Sequence, residues 1–200
     1  MPLWQPIPGE TPIDAVSGLR IRGITTRREL SEFEAANIAH ATLKYLAAPP
    51  SRRTARFTVG WCHELHAEMF GQVWEWAGVP RSRDGYSVGV PFHLIQPRLF
   101  DLLQDLESWT GFGMELVEQA TRLHHRAVQI HPFQNGNGRW SRMLANVWLK
   151  LNRAPLIYWP ERTIEDASEI RAQYIAAIQT ADKGDYDSLL ALHREYQEEA

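Results

Sequence analysis

Apolar residues recur along most of this chain at spacings of three and four, the pattern of helices that bury one face. Thr26 is placed to cap a first helix in which Leu30, Phe33, Glu34, Asn37, Ile38 and Ala41 keep that spacing and Pro49-Pro50 closes it. A further helix is expected to begin near Ser51. From Phe57 to Trp76, the positions Val59, Leu65, Met69, Phe70, Val73 and Trp76 predict one long helix running through Gly71 and stopping at Ala77-Gly78-Val79-Pro80. Leu94 to Trp109 and Met114 to Ile130 read as two more, parted by Thr110-Gly111-Phe112-Gly113, with Pro132 ending the second. Trp140, Met143, Leu144, Val147, Trp148 and Leu151 mark another over residues 137–150. After the break at Asn152-Arg153-Ala154-Pro155, helices are expected near Thr163 to Thr180 and Tyr186 to Gln197.

One segment departs from this period. Asp84-Gly85 is a hairpin turn signal, and Tyr86, Val88 and Val90 alternate with Ser87 and Gly89 as in a short strand; a plain connecting loop is the alternative. Residues 1–24 carry four prolines and little period, so they read as an extended arm packed on the body. The expectation is an all-α domain over residues 25–200 with one short β element.

Composition narrows the picture. Two hundred residues, 44% apolar and with eight tryptophans, fill one core and exclude a disordered chain. A net charge of −3 and a pI near 6.2 give no global basic field, which argues against a nucleic-acid partner. Arg52, Arg53 and Arg56 form a local patch, read as a solvated helix start. The single cysteine, Cys62, excludes an intrachain disulfide; its neighbours put it on a helix core face, as in a reducing compartment. The start, Met1-Pro2-Leu3-Trp4, has no basic region followed by an apolar run, and no stretch is long enough to cross a bilayer. The cytoplasm is the expected location, with no membrane partner.

The chemistry concentrates between His131 and Arg142, which read His-Pro-Phe-Gln-Asn-Gly-Asn-Gly-Arg-Trp-Ser-Arg. Gly136 and Gly138 let backbone N–H groups converge into an anion-binding nest, and the helix that follows adds its N-terminal donors and dipole. Arg139 and Arg142, three apart, share one side of the first turn, where guanidinium forks can grip phosphate. His131, with an ordinary pKa of about 6.5, is a candidate proton acceptor beside them. His124 and His125, on the helix before it, are expected to pack or reach solvent. A zinc site is not supported, because His63-Glu64-Leu65-His66 is one residue short of the zinc-protease spacing and cysteine pairs are lacking.

This stretch resembles the signature of the Fic/Doc family, His-Pro-Phe-x-acidic-Gly-Asn-Gly-Arg-x-x-Arg, whose members mostly transfer a nucleotide monophosphate onto a protein hydroxyl. Asn135 stands where the family usually carries Asp or Glu. The phrase Leu30-Ser31-Glu32-Phe33-Glu34-Ala35-Ala36-Asn37-Ile38, with that Asn, is similar to the branch called mobile mystery protein B. The resemblance covers about residues 55–180 and implies a Fic-type helical bundle. Its flap, at Tyr86, Ser87, Val88 and Gly89, would hold a target segment as an added strand. It further implies His131 as the catalytic base, with Gly136, Asn137 and Gly138 around the α- and β-phosphates. Arg139 would then meet the β-phosphate and Arg142 the terminal one. ATP with magnesium is the implied donor. Asn135 is the candidate magnesium ligand, an amide carbonyl that coordinates without bringing charge. In the family a glutamate on a helix restrains the second motif arginine; Glu29, spaced from Thr25, and Glu34 are the candidates here, each equally readable as a helix-surface residue. The implied partners are a target protein with a Ser, Thr or Tyr hydroxyl and a small helix-turn-helix or antitoxin companion. Two readings compete: a regulator that binds nucleotide without transferring it, and a transferase using another phosphate-linked donor.

Overall fold

The computed structural model describes residues 18–24, 26–84, 88–161, 164 and 168–198. Among these residues the chain is built from seven α-helices: α1 (Arg27–Leu46), α2 (Val59–Phe70), α3 (Ile95–Gly111), α4 (Leu116–Ile130), α5 (Asn137–Leu151), α6 (Glu169–Ala181) and α7 (Asp187–Glu195). The all-α expectation holds. α1 starts where the sequence signals it: the Thr26 hydroxyl accepts the Glu29 N–H at 3.2 Å and the Glu29 carboxylate accepts the Thr26 N–H at 3.0 Å, a reciprocal cap. α2 is capped in turn by Thr58, whose hydroxyl accepts the Trp61 N–H.

The long helix expected from Phe57 to Trp76 is cut short. α2 ends at Phe70 with Gly71 as its cap, where a Cβ would sit 2.5 Å from the Ala67 carbonyl oxygen. Beyond it the backbone bonds go to the arm: Arg20 N–H donates to the Val73 carbonyl and Glu75 N–H to the Gly18 carbonyl, both at 2.8 Å, with a bridge between Leu19 and Trp74. The apolar spacing of residues 73–76 reflects a turn that buries Trp74 and stacks it on Trp76 at 4.9 Å, not a continued helix. The helix expected from Ser51 is a single turn, closed by Thr54 N–H onto the Ser51 carbonyl, and Arg52, Arg53 and Arg56 are exposed on it. Of the arm, residues 1–17 lie outside the described residues.

Trp61, Leu65, Phe70, Leu123, Phe133, Trp140 and Leu144 form the centre of the main core, which α2, α4 and α5 enclose. A second cluster joins Ala145, Leu149, Leu156, Trp159 and Tyr174 and seats α6 against α5. Cys62 is fully buried and its thiol pKa is pushed up to about 12, so it is core. No described helix is long and apolar enough to cross a membrane.

Of the flap, Gly85, Tyr86 and Ser87 lie outside the described residues. Its described limbs, 81–84 and 88–90, hydrogen-bond through their backbones to the turn after α4. Arg81 N–H donates to the Pro132 carbonyl at 2.9 Å and Val90 N–H to the Ile130 carbonyl at 3.3 Å, while Pro80 bridges Phe133.

Candidate active site

α4 stops at His131 because Pro132 follows, and His131 takes a left-handed backbone, φ 51° and ψ 60°, which costs a non-glycine residue of order 1–3 kcal/mol. The turn is held from within. Its N–H donates to the Ala127 carbonyl, and its ring hydrogen-bonds the Val128 backbone. Only 9% of the residue is exposed. Burial, and then the Arg81 charge, pull its pKa down to about 4 against the opposing Val128 bond, so the ring is neutral at pH 7.

The loop from Phe133 to Gly136 is seated flush on α2. Phe133 is fully buried, stacked on His66 at 3.7 Å and edge-on to Trp140 at 5.0 Å. Gly136 has φ 76°, and a Cβ there would meet Phe70 at 2.7 Å, so both the turn and the close approach require glycine. His66 accepts the Gly78 N–H at 2.9 Å on Nδ1, so its Nε2 carries the proton and donates to the Asn135 carbonyl at 3.0 Å. Burial lowers its pKa to about 3.

Asn137, one of the residues expected around the phosphates, clips the loop with its side chain. It accepts the Phe133 N–H at 2.9 Å and donates to the Phe133 carbonyl at 2.8 Å, and its backbone N–H belongs to the first turn of α5. Asn135 likewise spends its side-chain oxygen within the loop, accepting the Gly136 N–H at 2.5 Å. Among the described residues no group of three or more His, Cys, Asp or Glu side chains is placed to hold a metal ion.

Both motif arginines grip carboxylates. Arg139 donates to Glu34 at 2.7 Å and lies over the Phe70 ring, while Glu34 also accepts the Trp74 indole N–H at 2.6 Å. Arg142, 4% exposed, holds Glu161 with two parallel bonds, Nε to Oε1 at 2.8 Å and Nη2 to Oε2. The sequence placed Glu34 toward Arg142; the structure places it on Arg139, because α1 runs beside α2 and the start of α5. Glu29 serves the α1 cap, and Thr25 lies outside the described residues. Glu161 carried no sequence signal beyond following Trp159-Pro160.

Behind Arg142 runs a buried row of hydrogen bonds that sequence reasoning also missed. The Arg142 guanidinium lies over the Tyr174 ring, 5.8 Å from its centroid. Tyr174 meets His124 Nε2 at 2.9 Å, His124 Nδ1 meets His193 Nε2 at 3.1 Å, and His193 Nδ1 meets the Leu189 carbonyl at 2.8 Å. Burial holds both rings neutral, His193 at about 4 and His124 well below its ordinary value. His125 packs too, between Asp182 at 2.9 Å and the Tyr186 hydroxyl at 3.0 Å. Of the flap residues, Val88 is exposed and Gly89 lies against His131, whose Cβ is 2.7 Å from where a Gly89 Cβ would stand. Tyr86 and Ser87 lie outside the described residues.

Residues 56–149 match the sequence profile of the Fic/DOC family. Among curated proteins, the protein adenylyltransferase fic-1 of Caenorhabditis briggsae is 32% identical over 88 residues, 44% of this chain and 16% of that protein. The protein adenylyltransferase Fic of Aedes aegypti is 29% identical over 150 residues, 72% of this chain and 28% of that protein. The chain thus spans less than a third of the length of these relatives. Among solved structures, a Fic-1 fragment from C. elegans superposes with a TM-score of 0.71 at 24% identity, over 90% of this chain and 52% of that one. The N-terminal Fic domain of a Bep effector protein from Bartonella quintana, with ADP bound, gives 0.62 at 23% identity, over 88% of each chain. The His131–Arg142 signature, seated at the turn between α4 and α5 of that fold, lies within residues 56–149, the part of this chain that matches the Fic/DOC family.

Proposed function

We propose that this protein transfers a nucleoside monophosphate, AMP from ATP in the first instance, onto a Ser, Thr or Tyr hydroxyl of a target protein. The observation that carries this reading is the convergence, on one turn, of a neutral buried imidazole, a helix N-terminus opened by Gly136 and Gly138, and two guanidinium groups already gripping carboxylates. A carboxylate and a phosphate present the same acceptor geometry to an arginine fork. Glu34 and Glu161 therefore mark where phosphate oxygens would sit: the β-phosphate on Arg139, the terminal one on Arg142, and backbone N–H groups of residues 136–138 around the α-phosphate. The names of the curated relatives support the same reaction.

In the step itself, the hydroxyl oxygen attacks the α-phosphorus and its proton passes to the His131 ring. The bond from the α-phosphorus to the bridging oxygen breaks, and pyrophosphate leaves. With its pKa near 4 the ring is wholly in the accepting form at pH 7 but weakly basic, so the proton moves late, as suits a loose phosphoryl transition state. A bound polyphosphate, being anionic, raises that basicity.

The residues present do not fit a protein-held magnesium. Asn135 brings no charge and its carbonyl is taken by Gly136 N–H. What this chain supplies is the base, the nest and the two guanidinium groups. The same observation favours a second reading, a nucleotide-binding regulator without transfer. The test is label transfer from α-phosphate-labelled ATP, with magnesium or manganese, into cell lysate by wild type, His131→Ala and Asn135→Asp. Label that depends on His131 supports the transferase; ATP binding with no label from wild type or Asn135→Asp favours the regulator.

A further inference from the structure

Arg81 is 7% exposed and belongs to neither the base nor the nest. A buried guanidinium costs several kcal/mol unless its N–H groups are satisfied, so its partners reveal what it is for. Among the described residues they include three backbone carbonyls around the site. Nε donates to the His131 carbonyl at 2.6 Å, Nη2 to the carbonyls of Val90 and, at 3.4 Å, Ile130, and Nη1 faces Asp84 at 3.6 Å. The carbonyls of Ile130 and its neighbours are ones a helix end leaves without intrahelical partners, and a cation there also suits the dipole of α4.

The backbone closes the same knot. Arg81 N–H donates to Pro132 and Val90 N–H to Ile130. Gly89, φ +103°, passes so near that a Cβ would stand 2.6 Å from Arg81 Nη2 and 2.7 Å from His131 Cβ. One side chain thus ties together the limb that leaves α2, the limb that returns toward α3, and the left-handed turn that carries His131.

We propose that Arg81 is the positioning residue for His131: its planar fork fixes the end of α4 and the limb 88–90 in one arrangement, holding the base in register with whatever that limb presents. This rests on the transferase reading for its kinetic consequence, though not for its geometry. Lysine keeps the charge but has no rigid fork with which to span three carbonyls. A small misplacement of a catalytic group costs about 100-fold in rate, so Arg81→Lys lowers kcat by roughly that factor while the KM for ATP stays within about twofold.

The test uses the full chain as wild type, Arg81→Lys and Arg81→Gln, and reads two quantities: kcat against KM for labelled-AMP transfer, and amide hydrogen exchange resolved by residue. The clamp predicts faster exchange at residues 81, 90 and 131 with unchanged protection in the middle of α2 and α4. Unchanged exchange at residues 90 and 131 in a folded Arg81→Lys overturns it, as does a kcat within about threefold of wild type. A uniform loss of protection across the core also overturns it, since Arg81 is then a stability residue only. Should Arg81→Gln fail to fold, Arg81→Lys decides. Absence of transfer by wild type sinks the transferase reading and leaves the exchange result to judge the clamp by itself.

Discussion

Acidification should unfold this protein through its histidines well before its carboxylates titrate. His66, His131 and His193 have pKa values lowered to about 3, about 4 and about 4, each chiefly by burial, and burial lowers His124 well below its ordinary value too. In the unfolded chain each returns to about 6.5. A depressed folded-state pKa means that the unfolded chain binds more protons once the pH drops below about 6.5, so the stability is complete above that value and is lost as pH falls toward 4. At pH 5.5 each of the three groups costs about 1.4 kcal/mol and at pH 5 about 2 kcal/mol, giving together about 4 and about 6 kcal/mol. His124 acts in the same direction. A domain of this size has roughly 5–15 kcal/mol in hand, so unfolding near pH 5 is the expected outcome. Urea unfolding followed by tryptophan fluorescence at pH 7.5, 6.5, 5.5 and 5.0 measures the loss directly. Its slope counts three to four protons taken up on unfolding, and His193→Gln should lower that count by about one. A stability at pH 5.5 within about 1 kcal/mol of that at pH 7.5 would refute the reasoning, because it would mean that these rings are hydrated or charged in the fold.

Three further outcomes follow from the site. Glu161→Gln removes the carboxylate competing for Arg142; discounted for its half-exposed position, the bond's loss should tighten ATP binding about tenfold in calorimetry. Asn137→Ala strands the buried Phe133 N–H and carbonyl, lowering unfolding free energy by about 2–4 kcal/mol in urea titrations. Gly136→Ala combines a positive φ with a 2.7 Å approach to Phe70, so it should destabilise by about 2–4 kcal/mol and abolish nucleotide binding, measured by the same two methods.

The helices were legible because each of them buries one stripe, and the stripe is written in single residues at fixed spacing. The failure at Val73 to Trp76 has a physical cause: tryptophans buried by a turn leave the same apolar trace as tryptophans buried by a helix, and the arm residues that take the backbone bonds lie more than fifty positions away. The motif loop was legible because glycine positions and paired arginines are local facts. What each loop side chain does was less so. Asn137 and Asn135 are the same residue type two positions apart, and their partners are fixed by three-dimensional closure of the turn. Glu161 was invisible as a partner of the site because its role depends on which guanidinium the fold brings to it.

The row of bonds from Tyr174 through His124 and His193 to Leu189 looks like a path for protons, and its far end shows that it conducts none. It stops on a peptide carbonyl, which can only accept. Each ring is then forced into a single tautomer, with every hydrogen pointing toward Leu189. A wire sealed at its terminal carries no current, but its dipoles add head to tail. α7 is thereby made to aim the Tyr174 hydroxyl on α6, beneath the Arg142 guanidinium, and an extra proton on either imidazole makes that ring a donor on both sides and turns the bonds between it and Tyr174 around.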